Sequence, residues 1–111
     1  VDTLAKYVVG GYLETFPEKT LSIIEKFSNS NNMWLNRTAI IFQLGYKEKT
    51  DFDLLISECE KHKHSSEFFI QKAIGWALRE YSSVNPNGVL EYVNRTNLKP
   101  LSKKEAIRKI I

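Results

Sequence analysis

"FFIQKAIGWALREYS", residues 68–82, decides the fold, because its apolar residues recur at helical spacing. Ile70, Ile74, Ala77, Leu78 and Tyr81 fall on one face of a 3.6-residue helix and make a core stripe. The other side carries Lys72, Gly75, Trp76 and Arg79, a tryptophan between two cations and beside a glycine. At about 100° per residue, Lys72, Trp76 and Arg79 lie within about 60° of one another. Either that second face packs on another part of the chain or it meets a partner.

The same register occurs earlier. "RTAIIFQL" (37–44) and "KAIGWALR" (72–79) align with Ala39 over Ala73, Ile40 over Ile74 and Leu44 over Leu78, a period of 34. Each is followed by a shorter amphipathic stretch, "DLLISECEK" and "GVLEYVNRT", and "AKYVVGGYL" with "TLSIIEKFS" forms a first pair in outline. Helix pairs at this interval stack into an all-α solenoid of HEAT-like antiparallel pairs, each burying its apolar face on its neighbours. A plain bundle of similar hairpins gives such a spacing by chance; the solenoid is the expectation. In it, corresponding helices of successive pairs line one concave surface, where residues distant in sequence meet.

Helices are expected at about 2–15, 18–28, 32–45, 51–62, 66–83, 86–96 and 102–111. Pro17 breaks the first pair, since proline lacks a backbone donor. "SNSNN" (28–32) is a polar turn able to cap a helix starting near Met33. Thr50 with Asp53 resembles a capping box, Asn85–Pro86 supplies an N-cap and first-turn proline, and Ser102 with Glu105 makes a capping box for the last helix. No stretch alternates with period two between hairpin turns, so strands are disfavoured.

The 111 residues, 42% hydrophobic and 26% charged, are ordinary for one globular domain spanning 1–111. Such a chain buries roughly two thirds of its unfolded surface. No apolar run approaches the ~20 residues of a membrane span, and no signal-peptide pattern opens the chain. Because Val1 stands inside a helical pattern, the chain is expected to be part of a longer protein. The single Cys59 excludes an internal disulfide and fits a reducing, cytoplasmic setting. His62 and His64 in "KHKH" are spaced i, i+2 among lysines, which is a poor metal-ligand set; a solvated loop is expected and no metal. The net charge of +3 permits nucleic-acid binding without requiring it.

Placement of the charges narrows this. On residues 34–45, Trp34, Arg37, Thr38 and Ile41 share a face, so two successive repeats offer an aromatic and an arginine at i, i+3: Trp34/Arg37 and Trp76/Arg79. Arginine presents a planar fork suited to phosphate, and tryptophan a flat surface that packs on sugars or bases. Gly75 beside them permits close approach of another backbone. Equally, both tryptophans serve as core aromatics between repeats, and both arginines pair with glutamates on a neighbouring helix. Asp2 at the start of the first helix is either a catalytic acid or a first-turn aspartate favoured by the helix dipole.

"NMWLNRTAIIFQLGYKEKTD", "EFFIQKAIGWALREYSSVNP" and "LKPLSKKEAIRKI" closely resemble the DNA alkylation repair family of HEAT-like glycosylases, over essentially the whole chain. The likeness is to the family's C-terminal half. It implies a catalytic aspartate at Asp2 in the "VD" pair, a DNA-backbone contact at Arg37 in "RTA", and a lesion-packing tryptophan at Trp76 in "GWALR", with Arg79 three later. Lys72 joins these on the helix wheel. The family's other active-site aromatic falls ahead of Val1. The implied partner is double-stranded DNA carrying N3- or N7-alkylated purines, acted on by a monomer without cofactor in a bacterial cytoplasm. The alternative is a non-catalytic HEAT-like module that binds DNA or protein.

Overall fold

A computed structural model describes residues 9–110. Seven α-helices occur among them: α1 Gly10–Thr15, α2 Thr20–Ser28, α3 Met33–Ile41, α4 Phe52–His62, α5 Phe68–Tyr81, α6 Pro86–Arg95 and α7 Pro100–Ala106. Short 3-10 turns at Pro17–Lys19 and Lys47–Lys49 lie in the connections, and no strand occurs among the described residues. The all-helical expectation holds. None of these helices is long and apolar enough to cross a membrane.

The helices alternate between two layers. α5 packs most extensively on α7 and next on α3, so α3, α5 and α7 lie side by side. α2, α4 and α6 bridge behind them. The smallest dimension of the molecule, 22 Å, is about two helix diameters, as two layers require. All three residue pairs of the 34-residue register are buried. The stripe on α5 behaves as its spacing predicts: Ile70, Ile74, Ala77 and Leu78 are buried, and Tyr81 packs against the same core.

α3 differs from an amphipathic helix. Every residue from Arg37 to Leu44 is buried, including Arg37, Thr38 and Gln43. Ala39 and Phe42 join Leu13 and Ile24 in one cluster, whereas Ile40, Ile41 and Leu44 join the larger cluster shared by α4, α5 and α6. A helix apolar all round is a helix with neighbours all round. The shared face of Trp34, Arg37, Thr38 and Ile41 is therefore mostly an internal face.

Each turn has a chemical cause, and two caps differ from expectation. Asn32 accepts from the Trp34 backbone N–H at 2.9 Å, and Asn85 accepts from Gly88 N–H at 2.9 Å ahead of Pro86. At α4 the cap is Asp51, not Thr50; its Oδ1 accepts from Leu54 N–H at 3.1 Å. Buried Gln43 holds that corner by donating to the Asp51 carbonyl and accepting from its N–H, at 3.2 and 2.7 Å. At α7 the expected capping box does not form. The helix starts at Pro100, which can open a helix because its missing donor is not needed in the first turn. Ser102 then lies inside the helix and donates its hydroxyl to the Gln71 carbonyl at 2.7 Å. Nor is His62 in a solvated loop. It ends α4, half-buried, with Nε2 2.9 Å from Ser28 Oγ.

Candidate functional site

The side of α5 opposite its core stripe meets α3 on one flank and α7 on the other. Arg37 from α3, Lys72, Trp76 and Arg79 from α5, and Glu105 and Arg108 from the α7 end line one open cleft of about 320 Å³. Four of the candidate residues thus share one site: Arg37, Lys72, Trp76 and Arg79. Asp2 lies outside the described residues.

The candidates are held differently. Arg37 is only 5% exposed. Its guanidinium donates to the Phe69 carbonyl and lies 5.9 Å from the Phe69 ring centroid and 5.8 Å from that of Trp76. A planar cation between two aromatic faces keeps favourable electrostatics while losing water. Trp76 is half-buried, packed partly on the core and partly on Arg37. Lys72 is exposed, with Nζ 5.7 Å from the Phe68 ring centroid. Arg79 donates to Glu105 Oε2 at 3.1 Å, as the ion-pair alternative expected. Its Nε is buried without a hydrogen-bond partner among the described residues.

Gly75 has a different neighbour from a ligand. A Cβ built there would sit 2.5 Å from Glu105 Cβ and 3.0 Å from the Ser102 carbonyl. The backbone that approaches is α7, and this close crossing is what delivers Glu105 and Arg108 to the cleft.

Along the α3 side of the cleft runs an aromatic strip. Trp34, Phe68 and Phe69 are all exposed; the Trp34 and Phe69 ring centroids are 5.3 Å apart, as are those of Phe68 and Phe69. Trp34 therefore packs on the next repeat through Phe69 while keeping a solvent face. Phe68, Phe69, Glu105 and Arg108 escape a reading confined to the strings 37–44 and 72–79, since all four lie outside them, although the 34-residue period sets Phe68 over Trp34. The signal available for the two phenylalanines was an aromatic at 68 echoing Trp34, followed at once by a second aromatic at the start of a helix.

The site is cationic by count, with Arg37, Lys72, Arg79 and Arg108 against Glu105. Clefts lined by one sign of charge concentrate field and attract counter-ions. The arrangement suits an anionic polymer with flat, stackable groups.

Comparison with known proteins agrees with the all-helical architecture and adds a lineage. A family described as DNA alkylation repair enzyme matches residues 1–110. A solved structure described as a predicted DNA alkylation repair enzyme from Enterococcus faecalis is 38% identical and superposes with a TM-score of 0.85. That match covers 91% of this chain but 47% of the other, so the chain spans about half the length of that relative. No match was found among curated proteins.

Proposed function

We propose that this chain, which belongs to the DNA alkylation repair enzyme family, supplies the DNA-gripping face and the carboxylate of an alkylpurine glycosylase. The observation that carries the reading is the convergence of Arg37, Lys72, Trp76 and Arg79 on one cationic cleft beside an exposed aromatic strip. Lys72 and Arg79 engage phosphates, which positions DNA without reading its sequence. Arg37, sunk between Phe69 and Trp76, adds charge beneath the surface and stiffens the wall against which a nucleotide packs.

The chemistry asks little of the protein. A purine alkylated at N3 or N7 is cationic, so it leaves without being protonated. As the C1′–N bond breaks, its electron pair neutralises the base and the sugar becomes oxocarbenium-like. One carboxylate, Asp2, stabilises that cation and orients the water whose oxygen bonds to C1′; the water's proton passes to solvent. Trp76 offers electron-rich ring surface to the cationic sugar and base. An open, shallow cleft suits action on a lesion that stays near the stack rather than in a deep flipped-base pocket.

Asp2→Asn in the full-length protein tests this. Release of a 7-methylpurine is expected to fall by orders of magnitude while DNA binding persists; unchanged release removes Asp2 from the chemistry. A non-catalytic DNA- or protein-binding module is the second reading. It is favoured by the engagement of Arg37 with Phe69 and of Arg79 with Glu105 inside the fold. Under it, neither the native protein nor the variant releases base.

A further inference from the structure

Glu105 is the acid of the cleft, and it spans two cations. Its Oε2 is 3.1 Å from Arg79 Nη1 and its Oε1 is 3.6 Å from Arg108 Nη1. The Glu105 and Arg79 side chains are 17% and 24% exposed, whereas Arg108 is 66% exposed. A carboxylate bridging two guanidinium groups presents what a phosphodiester presents: one negative charge and two acceptor oxygens. The placement is built into the backbone, because α7 crosses α5 at Gly75, where Glu105 Cβ takes the space of a side chain. Glu105 nevertheless leaves Arg79 incompletely satisfied. Buried Nε finds no partner among the described residues, and an unsatisfied donor carries a desolvation cost that a better-placed acceptor would relieve.

We propose that Arg79, Glu105 and Arg108 form a phosphate subsite occupied by its own carboxylate, so that Glu105 stands in for a phosphodiester until one displaces it. The proposal rests on the nucleic-acid reading of the cleft and adds to it a contact, Arg108, and a built-in competitor, Glu105. A single phosphate must outcompete an intramolecular rival at high effective concentration. Engagement therefore depends on further contacts from the same strand, at Lys72, Trp76 and the aromatic strip. If Glu105 served only as a strut holding Arg79 in place, its removal would weaken anion binding instead of strengthening it.

The test uses the 111-residue chain with Glu105→Gln, Arg108→Ala and the double variant. Inorganic phosphate, compared with chloride at matched ionic strength, is the first probe, and undamaged duplex DNA the second. Phosphate is expected to raise the melting temperature of Glu105→Gln well beyond that of the native chain, with the gain lost in the double variant. DNA binding by Glu105→Gln is expected to tighten about tenfold, with a salt slope steeper by roughly one. Equal phosphate effects on native and Gln chains, or weaker DNA binding by Glu105→Gln, overturn the proposal. A phosphate gain without DNA binding by any variant supports the subsite and overturns the nucleic-acid reading instead. Should Glu105→Gln fail to unfold cooperatively, Arg108→Ala alone carries the test. Its exposed side chain is expected to lower the DNA salt slope by roughly one, and an unchanged slope overturns the proposal.

Discussion

Arg37 and Arg79 stand at matching i+3 positions after a tryptophan, yet their surroundings give them different work. Arg37 donates to a backbone carbonyl between two rings at 5% exposure, so Arg37→Ala removes packing as well as charge. It is expected to destabilise the chain by about 1–3 kcal/mol, read as a lower chemical-denaturation midpoint, in addition to weakening DNA binding. Loss of binding at unchanged stability would show the side chain to be a surface contact only. Glu60 provides a second residue-level test. It accepts from the Tyr92 and Thr96 hydroxyls, both at 2.6 Å, and from Lys63 at 3.0 Å. These contacts, the Thr96 hydroxyl foremost, hold its carboxyl down at about 2. A depressed folded value gives stability that is complete above the ordinary carboxylate range and lost as pH falls through about 2. Glu60→Gln is thus expected to lower the melting temperature at neutral pH, with the deficit closing towards pH 2. A deficit that persists at the acid end would assign it to hydrogen-bond geometry instead of charge.

At the scale of the element, α5 and α7 make the most extensive helix–helix contact among the described residues, and they cross closely at Gly75. Ala is the better helix former than Gly by about 1 kcal/mol, yet at position 75 its methyl group would meet Glu105 and the Ser102 carbonyl. Gly75→Ala should therefore destabilise by about 1–3 kcal/mol in thermal or urea melts, since α7 must shift outward. A stabilised variant would show that α7 moves freely. The α4 cap separates two readings of one turn in the same way. Asp51→Ala is expected to cost about 1 kcal/mol and Thr50→Ala far less, because Asp51 is the residue bonded to the helix N-terminus. Equal losses would restore Thr50 as a cap.

Across the whole molecule, neighbouring helices of the rear layer are tied by polar contacts as well as by the core. Ser28 on α2 meets His62 on α4, and Glu58 lies 4.0 Å from the same imidazole nitrogen. Burial raises the Glu58 carboxyl above its ordinary value, against the lowering influence of Ser28 and Lys61; burial, then Lys61, lowers His62. Both directions favour neutral groups, so desolvation outweighs the attraction across 4.0 Å. The raised Glu58 value means that its favourable contribution is complete below the unfolded carboxylate value and lost as pH rises through the folded one. The lowered His62 value works oppositely: its contribution is complete above the unfolded imidazole value and lost as pH falls through the folded one. Glu58→Gln is accordingly expected to raise the melting temperature near pH 7, with the gain vanishing in the acid range. A loss confined to the pH range in which both groups are charged would establish a working ion pair with His62.

The 3.6-residue spacing on α5, its echo 34 residues earlier, and the cap residues Asn32 and Asn85 determined from sequence alone that this chain is a helical repeat, because periodicity and local hydrogen bonding are properties of neighbouring residues. The candidate face was legible for the same reason, since Lys72, Trp76 and Arg79 share one side of one helix. Tertiary structure decided which of those groups pack inward and which face solvent. Arg37 went inside because the second half of α3 has neighbours on every side, and Gly75 was taken by α7. Ser102 left its cap for a carbonyl of another helix, and Glu105 and Arg108 reached the cleft from outside the repeated strings. Burial and charge pairing across helices depend on which elements meet, and no spacing along a single helix encodes that meeting.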